Sequence, residues 1–213
     1  MSKQLREGHE VYLLTLTKGG ATKQRFKYDY SVEEMGDVRL QEMLNVEAVL
    51  GLSGMTVLDL PDSGLKEMDP KVIEENISEY IRQIEPHVVV TYPVHGISGF
   101  HDHIVTHAVV KRVYLDIKSK LPTLKRLAFY TLSEEEAVDG FFRLNSSTPL
   151  EIDCVIEVGD DDIAKNLDAL DCYVTFQETI ENTGIRDKLG QKTFFEIFQE
   201  NHDPPLRDLF EKL

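Results

Sequence analysis

Four of the seven histidines of this chain lie in the stretch from residue 88 to residue 110. They are His95, His101, His103 and His107. Imidazole is the commonest metal ligand of proteins and a general acid or base near neutral pH. Asp102 stands between His101 and His103, where its carboxylate could orient one ring while another ring binds a metal. The spacing predicts a metal or acid–base site.

A strand and a helix must position these histidines. Residues 88–91 are a β-branched run typical of a buried strand, and apolar residues recur at helical spacing from 104 to 115. Pro93, Gly96 and Gly99 predict a loop between them. Open α/β sheets bind ligands at the carboxyl ends of their strands. The histidines therefore fall where such a fold places its ligand site.

The rest of the chain alternates helices and strands. Before the histidines, the patterns predict a helix over 1–6, a strand over 10–17, a capped helix over 31–50, a strand over 56–60 and a helix over 69–84. After them, they predict strands over 125–132, 140–144 and 154–158, helices over 163–173 and 192–201, and a short terminal helix. This order predicts an α/β class: a Rossmann-like, mostly parallel sheet with helices on both faces. Such folds usually begin with a strand, so the first strand is expected to be missing.

Composition narrows the partners. The chain has 213 residues and a net charge of −15, which argues against nonspecific binding to nucleic acid or anionic lipid. No apolar run reaches the length of a membrane span, and the first residues lack a signal-peptide pattern. The two cysteines, Cys154 and Cys172, are far apart, which predicts reduced thiols in a cytoplasmic protein. A homo-oligomer is one of the open alternatives.

Segments along nearly the whole chain resemble the LmbE / PIG-L family of zinc-dependent N-deacetylases, which remove the acetyl group from N-acetylglucosamine derivatives. REGHEVYLLTLTKGG resembles the family's second strand, RLQEMLNVEAVLGL its Arg-x-x-Glu helix, LDLPDSGL its Asp-containing turn and FHDHIVTHAVV its His-x-Asp-His motif. The resemblance implies one deacetylase domain over 1–213 that binds an amino-sugar substrate. Within the family, the Asp-Ser-Gly turn and the small size resemble the bacterial deacetylases of thiol-cofactor, bacillithiol-type biosynthesis.

The resemblance implies roles for individual side chains. His103 would be a Zn²⁺ ligand and Asp102 the acid that orients it. Arg39 and Asp62 would bind the substrate by holding sugar hydroxyls or an appended acid; otherwise Arg39 would belong to a surface ion pair with Glu42.

One position departs from the family motif. The family has a histidine where this chain has Phe100. His101 or His95 would then assist the tetrahedral intermediate as a catalytic residue, and the sequence leaves this choice open.

A larger departure concerns the Ala-His-Pro-Asp-Asp-Glu turn that supplies two zinc ligands and the general base in the family. No His-Pro-Asp-Asp occurs in this sequence, and the resemblance would place it before Met1. Either the start lies at an internal Met, which we favour, or the chain is a truncated product without hydrolase activity. On both explanations the domain is N-terminally incomplete and should bind zinc poorly by itself.

Two functions are compatible with these patterns. The first is a zinc-dependent hydrolase in which the metal activates a water for attack on the acetamide carbonyl. The alternative is a truncated or inactive α/β module that binds a sugar without metal. A nucleotide-dependent glycosyl enzyme is disfavoured because the chain lacks a glycine-rich phosphate-binding fingerprint.

Overall fold

The structure is a computed structural model that describes residues 1–137, 144–187 and 189–213. The chain divides into two compact units. Unit 1 comprises residues Met1–Gly64 and Val158–Gln191, and unit 2 comprises Leu65–Glu157 and Lys192–Leu213. Across the described ranges, none of the helices combines the length and the apolar character that crossing a membrane requires.

Helices and strands alternate along most of the chain. The helices are α1 (Ser2–Arg6), α2 (Val32–Leu50), α3 (Pro70–Ile84), α4 (His101–Ile117), α5 (Asp160–Asp171) and α6 (Gln177–Thr183). The strands are β1 (Tyr12–Thr15), β2 (Gly54–Val57), β3 (Val88–Thr91), β4 (Arg126–Thr131), β5 (Cys154–Glu157) and β6 (Lys192–Ile197). Short 3-10 helices cover Lys23–Lys27, Leu65–Glu67 and Val174–Phe176. The predicted α/β class is confirmed.

Unit 1 contains a two-stranded parallel sheet in which β1 pairs with β2. The longest helix of this unit, α2, begins at the predicted capping box, in which Ser31 and Glu34 exchange backbone and side-chain hydrogen bonds. It ends at Gly51, whose φ of 69° is the left-handed conformation that glycine favours. Val46 and Leu50 on α2 pack with residues of α5 in one apolar cluster.

Unit 2 contains a four-stranded mixed sheet in the order β3-β4-β6-β5. The β3–β4 pair is parallel, whereas β6 runs antiparallel to both β4 and β5. The core of this sheet is a cluster of buried side chains: Ala128, Cys154, Ile156, Phe195, Ile197, Leu206 and Leu209. The parallel β3–β4 pair places the loop after β3 at a carboxyl edge of the sheet, as the sequence predicts for a ligand site.

Three predicted elements of the C-terminal half have a different outcome. Residues 192–201 are predicted as a helix from their aromatic residues, but Lys192–Ile197 form strand β6 and residues 198–199 form a turn. Their aromatic side chains suit a pleated surface, and pairing with strands on both sides outweighs the helical apolar spacing. The prediction of a short terminal helix is also wrong, because residues 209–212 form turns. The predicted strand over 140–144 lies almost entirely outside the described residues.

Candidate active site

The loop between β3 and α4 in unit 2 carries the histidine cluster. His95 lies in this loop, while His101 is the first residue of α4 and His103 lies in the same first turn. The helix begins after Phe100, whose side chain makes no capping hydrogen bond. Asp102 is the acidic residue in the first turn of α4, where a carboxylate complements the helix dipole.

His103 is held with one ring nitrogen towards the loop. Its Nδ1 lies 2.9 Å from the carbonyl oxygen of Gly96 and 3.0 Å from Oγ of Ser98. The ring stacks on Tyr92, with centroids 4.0 Å apart and planes 10° from parallel. Because a carbonyl oxygen only accepts, Nδ1 carries the proton, and in the neutral ring the lone pair therefore lies on Nε2. Among the described residues Nε2 has no hydrogen-bond partner, which is the state of an imidazole that binds a metal.

A strained turn aims the Gly96 carbonyl at His103. Gly96 and Ile97 have φ values of 64° and 59°, and a left-handed conformation at a β-branched residue costs about 1–3 kcal/mol. The Ile97 N–H donates to Nδ1 of His95 at 3.1 Å. The backbone N–H and the side-chain amide of Asn145 both donate to the Ile97 carbonyl, at 2.8 and 3.0 Å. The backbone N–H and the backbone carbonyl of the strained residue Ile97 are therefore both hydrogen-bonded.

His95 also connects the loop to a buried polar network. Since Nδ1 of His95 accepts from a backbone N–H, its proton lies on Nε2, which is 3.5 Å from Oγ of Ser147. The Ser147 hydroxyl donates to Glu196 at 2.5 Å and lies 2.6 Å from the hydroxyl of Thr131. Burial lowers the pKa of His95, against the opposing carboxylate of Glu151, and burial raises the pKa of Glu196. His95 is accordingly a neutral ring at physiological pH.

His107 stabilises the fold one helical turn after His103. Its Nδ1 donates to the carbonyl oxygen of Tyr92 at 2.8 Å, and its ring lies 4.8 Å from that of Phe129. Burial lowers the pKa of His107, so the ring is neutral. This histidine ties α4 to the end of β3.

Asp102 and His101 have contrasting surroundings. The Asp102 carboxylate accepts a hydrogen bond from the backbone N–H of Leu65 at 3.3 Å, at the start of a 3-10 helix. His101 is exposed. His103 is oriented by the hydrogen bond that its Nδ1 donates to the Gly96 carbonyl, and the orienting role of Asp102 stays a prediction. The choice between His101 and His95 as the assisting histidine also stays open.

Arg39 lies on α2 in unit 1, and its ion pair with Glu42 is buried rather than superficial. The two side chains are 15% and 5% exposed. The guanidinium carbon lies 4.9 Å from the ring centre of Tyr173 and 4.4 Å from that of Phe176. Glu42 also accepts from the backbone N–H of Thr175 at 2.7 Å and from its hydroxyl at 3.1 Å. Arg39 is thus fixed from several sides, while its buried Nε has no hydrogen-bond partner in the described structure.

Asp62, also in unit 1, holds the loop that follows β1. One carboxylate oxygen accepts from the hydroxyl of Thr17 at 3.1 Å, and the other accepts from the backbone N–H of Ala21 at 2.8 Å. A carboxylate has about four acceptor positions, so further donors could still bind. The structure gives this side chain a loop-anchoring contact, and its substrate contact stays a prediction.

The donor set for a metal is incomplete. In the part of the chain that the structure describes, no group of three or more His, Cys, Asp and Glu side chains could hold a metal ion. Zinc sites use at least three protein ligands. His103 fits one position of such a site, and the described side chains do not supply the others.

The sequence patterns did not indicate three residues that contact the histidine loop or support it. Asn145, Ser147 and Glu196 are separated from the loop by about fifty to a hundred residues and share no spacing motif with it. The one available signal was Glu196, a carboxylate inside the aromatic run KTFFEIF. The helix predicted there would have assigned it to a solvent-facing position.

A family model described as PIG-L: GlcNAc-PI de-N-acetylase matches residues 1–114, more than half of the chain. The chain belongs to the PIG-L family. The match includes Arg39, Asp62 and the histidines from 95 to 107, so the predicted family resemblance is confirmed on the segments that carry the candidate site.

A curated relative is similar over most of this chain. The PIG-L chain is 24% identical over 200 residues to 1D-myo-inositol 2-acetamido-2-deoxy-alpha-D-glucopyranoside deacetylase of Mycobacterium sp. (strain JLS). That match covers 83% of this chain and 62% of the relative, so this chain spans less than two thirds of the relative's length.

Two solved structures have a similar fold. A deacetylase in the biosynthesis pathway of teicoplanin has a TM-score of 0.70 at 12% identity, covering 92% of this chain and 89% of its own. The zinc inhibited form of teicoplanin deacetylase Orf2 has a TM-score of 0.69 at 13% identity, covering 92% and 90%. At these identities the likeness concerns the fold.

Proposed function

We propose that this PIG-L protein removes the N-acetyl group from an N-acetylglucosamine derivative in a zinc-dependent hydrolysis. The observation that carries the proposal is the orientation of His103, with Nδ1 bound to the Gly96 carbonyl and Nε2 available. A second support is the position of this ring, in the first turn of a helix that follows a parallel strand.

Zinc, when bound, would supply an activated water and polarise the acetamide carbonyl. His103 would provide one ligand. The described side chains do not complete a zinc site.

Arg39 suits substrate binding because its position is fixed before any ligand arrives. The guanidinium packs against the rings of Tyr173 and Phe176 and is paired with Glu42, so binding would cost little side-chain entropy. Its unpartnered Nε could donate to a sugar hydroxyl or an appended acid. Asp62 would accept from sugar hydroxyls with the lone pairs that Thr17 and Ala21 leave free.

In the second unit, Asp102 and His101 would act beside the ligand His103. Asp102, at the positive end of α4, would have the orienting role that the family resemblance implies. The exposed ring of His101 could donate a hydrogen bond to a developing oxyanion. His95 would suit that donation less well, since its Nε2 is directed to Ser147. We propose one deacetylase domain over residues 1–213 and retain the homo-oligomer as a prediction.

The aglycone of the substrate could be either inositol or an organic acid. The relative from Mycobacterium is named for an inositol glycoside of N-acetylglucosamine. The bacillithiol-type branch, suggested by the Asp-Ser-Gly turn at Asp62, remains our proposal for the pathway. Comparing the rates of acetate release from N-acetylglucosamine derivatives that carry inositol with the rates from those that carry an organic acid would distinguish the two, since we expect the Arg39 guanidinium to favour an anionic aglycone.

A sugar-binding module without metal is the second candidate. The observation that favours it is the incomplete donor set among the described side chains. Such a module would bind the sugar through Arg39 and Asp62 with the histidines as loop residues.

The two functions predict different outcomes in one assay. Purified protein is incubated with the N-acetylglucosamine–inositol derivative, with and without added Zn²⁺, and released acetate is measured alongside calorimetric binding of the sugar. A parallel sample carries the family's His-Pro-Asp-Asp turn fused ahead of residue 1. Acetate release that needs added metal in either sample supports the hydrolase. Sugar binding without acetate release in both samples would refute the hydrolase in favour of the binding module.

A further inference from the structure

We propose that His95 and Asn145 are positioning residues that set the tautomer of His103 by holding the Gly96–Ile97 turn. The inference deepens the proposed function and rests on it in one respect, namely that His103 is a metal ligand. Neither residue touches Nε2 of His103, where a metal would bind. Their effect passes through the backbone of the turn.

The ring nitrogen Nδ1 of His103 has two possible hydrogen-bond partners in the loop. Nδ1 of His103 lies 2.9 Å from the Gly96 carbonyl and 3.0 Å from the Ser98 hydroxyl. The carbonyl can only accept, and it therefore stabilises the tautomer with the proton on Nδ1. The hydroxyl can donate as well as accept, so without the carbonyl it could stabilise the tautomer with the proton on Nε2 as well as the first one. Only the first tautomer leaves Nε2 free to bind a metal.

The second step is the conformation that aims the carbonyl. Gly96 and the β-branched Ile97 are both left-handed, with φ values of 64° and 59°. A β-branched residue adopts this conformation only when its surroundings hold it there. If Ile97 relaxed to a negative φ, the peptide joining it to Gly96 would rotate and its carbonyl would leave Nδ1 of His103.

Hydrogen bonds with His95 and Asn145 hold Ile97 in this conformation. Nδ1 of His95 accepts from the N–H two residues later, at 3.1 Å, as the side-chain oxygen of an Asx-turn does. Asn145 donates twice to the Ile97 carbonyl, at 2.8 Å from its backbone and 3.0 Å from its side chain. These contacts fix both ends of the strained residue. Ser147, buried and bonded to Glu196, lies on the other side of the His95 ring and completes its support at 3.5 Å.

Substitutions of His95 can separate this role from simple packing. His95→Phe keeps a flat ring and removes the acceptor for the Ile97 N–H. His95→Asn removes the ring but restores an acceptor at Asx-turn spacing. His87→Phe is the matched control, since His87 is an exposed histidine in the turn before β3.

The readout is the tautomer of His103, measured from its ¹⁵N ring shifts by NMR on the metal-free protein well above the imidazole pKa of about 6.5. Wild type and His87→Phe should hold the Nδ1–H form. In His95→Phe the ratio of the Nε2–H form to the Nδ1–H form should rise about fivefold, as expected for the loss of one ordinary hydrogen bond. His95→Asn should return the ratio towards the wild-type value.

Asn145→Ala tests the other end of the turn and guards against a misfolded His95 variant. It removes the side-chain donor and keeps the backbone donor, so its change should have the same sign and a smaller size. Asn76→Ala, which removes a similar exposed amide bonded to the Val72 carbonyl on α3, should change nothing at His103.

An unchanged His103 tautomer in both His95→Phe and Asn145→Ala would overturn the inference, as would a His95→Asn variant no better than His95→Phe. The readout requires neither metal nor turnover. A protein that shows the tautomer change but never releases acetate would contradict the proposed function and leave the positioning role intact.

Discussion

Replacing Glu42 by glutamine tests whether buried charge holds the candidate substrate arginine in place. The side chains of Glu42 and Arg39 are 5% and 15% exposed, and Glu42 also accepts two hydrogen bonds from Thr175. Glutamine keeps the shape and one acceptor oxygen but removes the negative charge. The Arg39 guanidinium would then be a buried cation without a counter-charge.

The expected loss of stability can be estimated from the burial. Breaking a buried ion pair by removing one charge costs about 3–5 kcal/mol. Arg39 is still partly accessible, and the rings of Tyr173 and Phe176 remain in contact with it, so we expect the lower end, about 3 kcal/mol. For a chain of this length 1 kcal/mol corresponds to about 2–4 °C, so Tm should fall by roughly 6–12 °C.

Scanning calorimetry provides the measurement, and two further variants make it specific. Asp116→Asn is the matched control, because the Arg112–Asp116 pair is 63% and 62% exposed at 3.9 Å and should contribute less than about 1 kcal/mol. The double variant Arg39→Met with Glu42→Gln should recover most of the lost Tm, since no unpaired charge remains. The reasoning is refuted if Glu42→Gln loses no more than Asp116→Asn, or if the double variant is no more stable than Glu42→Gln.

The remaining predictions concern unit 2. His103→Gln should lower zinc affinity at least about tenfold in a chelator competition, whereas His87→Gln at an exposed turn should not; equal effects would exclude His103 as a ligand. Glu196→Gln should gain stability relative to wild type as pH rises from about 4.3, because burial raises the pKa of Glu196, so the folded state resists its ionisation. Denaturant unfolding between about pH 4 and pH 8 measures this gain, and a difference that does not change with pH would contradict it. Gly96→Ala should destabilise more than Gly184→Ala. Both have similar φ values, 64° and 61°, and share a cost of about 1–2 kcal/mol, but only at Gly96 would a new Cβ lie 3.0 Å from Cβ of His103. Equal losses in denaturant unfolding would show that φ alone matters.

Local signals in the sequence determined the elements that carry the histidines. The β-branched run gives β3 with the predicted bounds, and the Ser31–Glu34 box and Gly51 mark the two ends of α2. These features depend on neighbours within about four residues, so no distant contact is needed to predict them. The resemblance of FHDHIVTHAVV to the family's His-x-Asp-His motif implied His103 as a candidate ligand, and the family match confirms that resemblance.

Only the tertiary structure decided what surrounds those residues. Residues 192–197 form a strand because β4 and β5 pair with them from both sides, and apolar spacing alone cannot distinguish that outcome from a helix. The Arg39–Glu42 pair is buried because the chain returns more than a hundred residues later with Thr175.

The position of the ring proton of His103 likewise depends on tertiary contacts. Its tautomer depends on a carbonyl seven residues earlier, which a strained turn presents and which Asn145 helps to hold from across the fold. The sequence by itself specified which groups could do chemistry and which local elements carry them. Burial, charge compensation and hydrogen-bond direction arise between residues far apart in the chain, so only the folded structure could assign them.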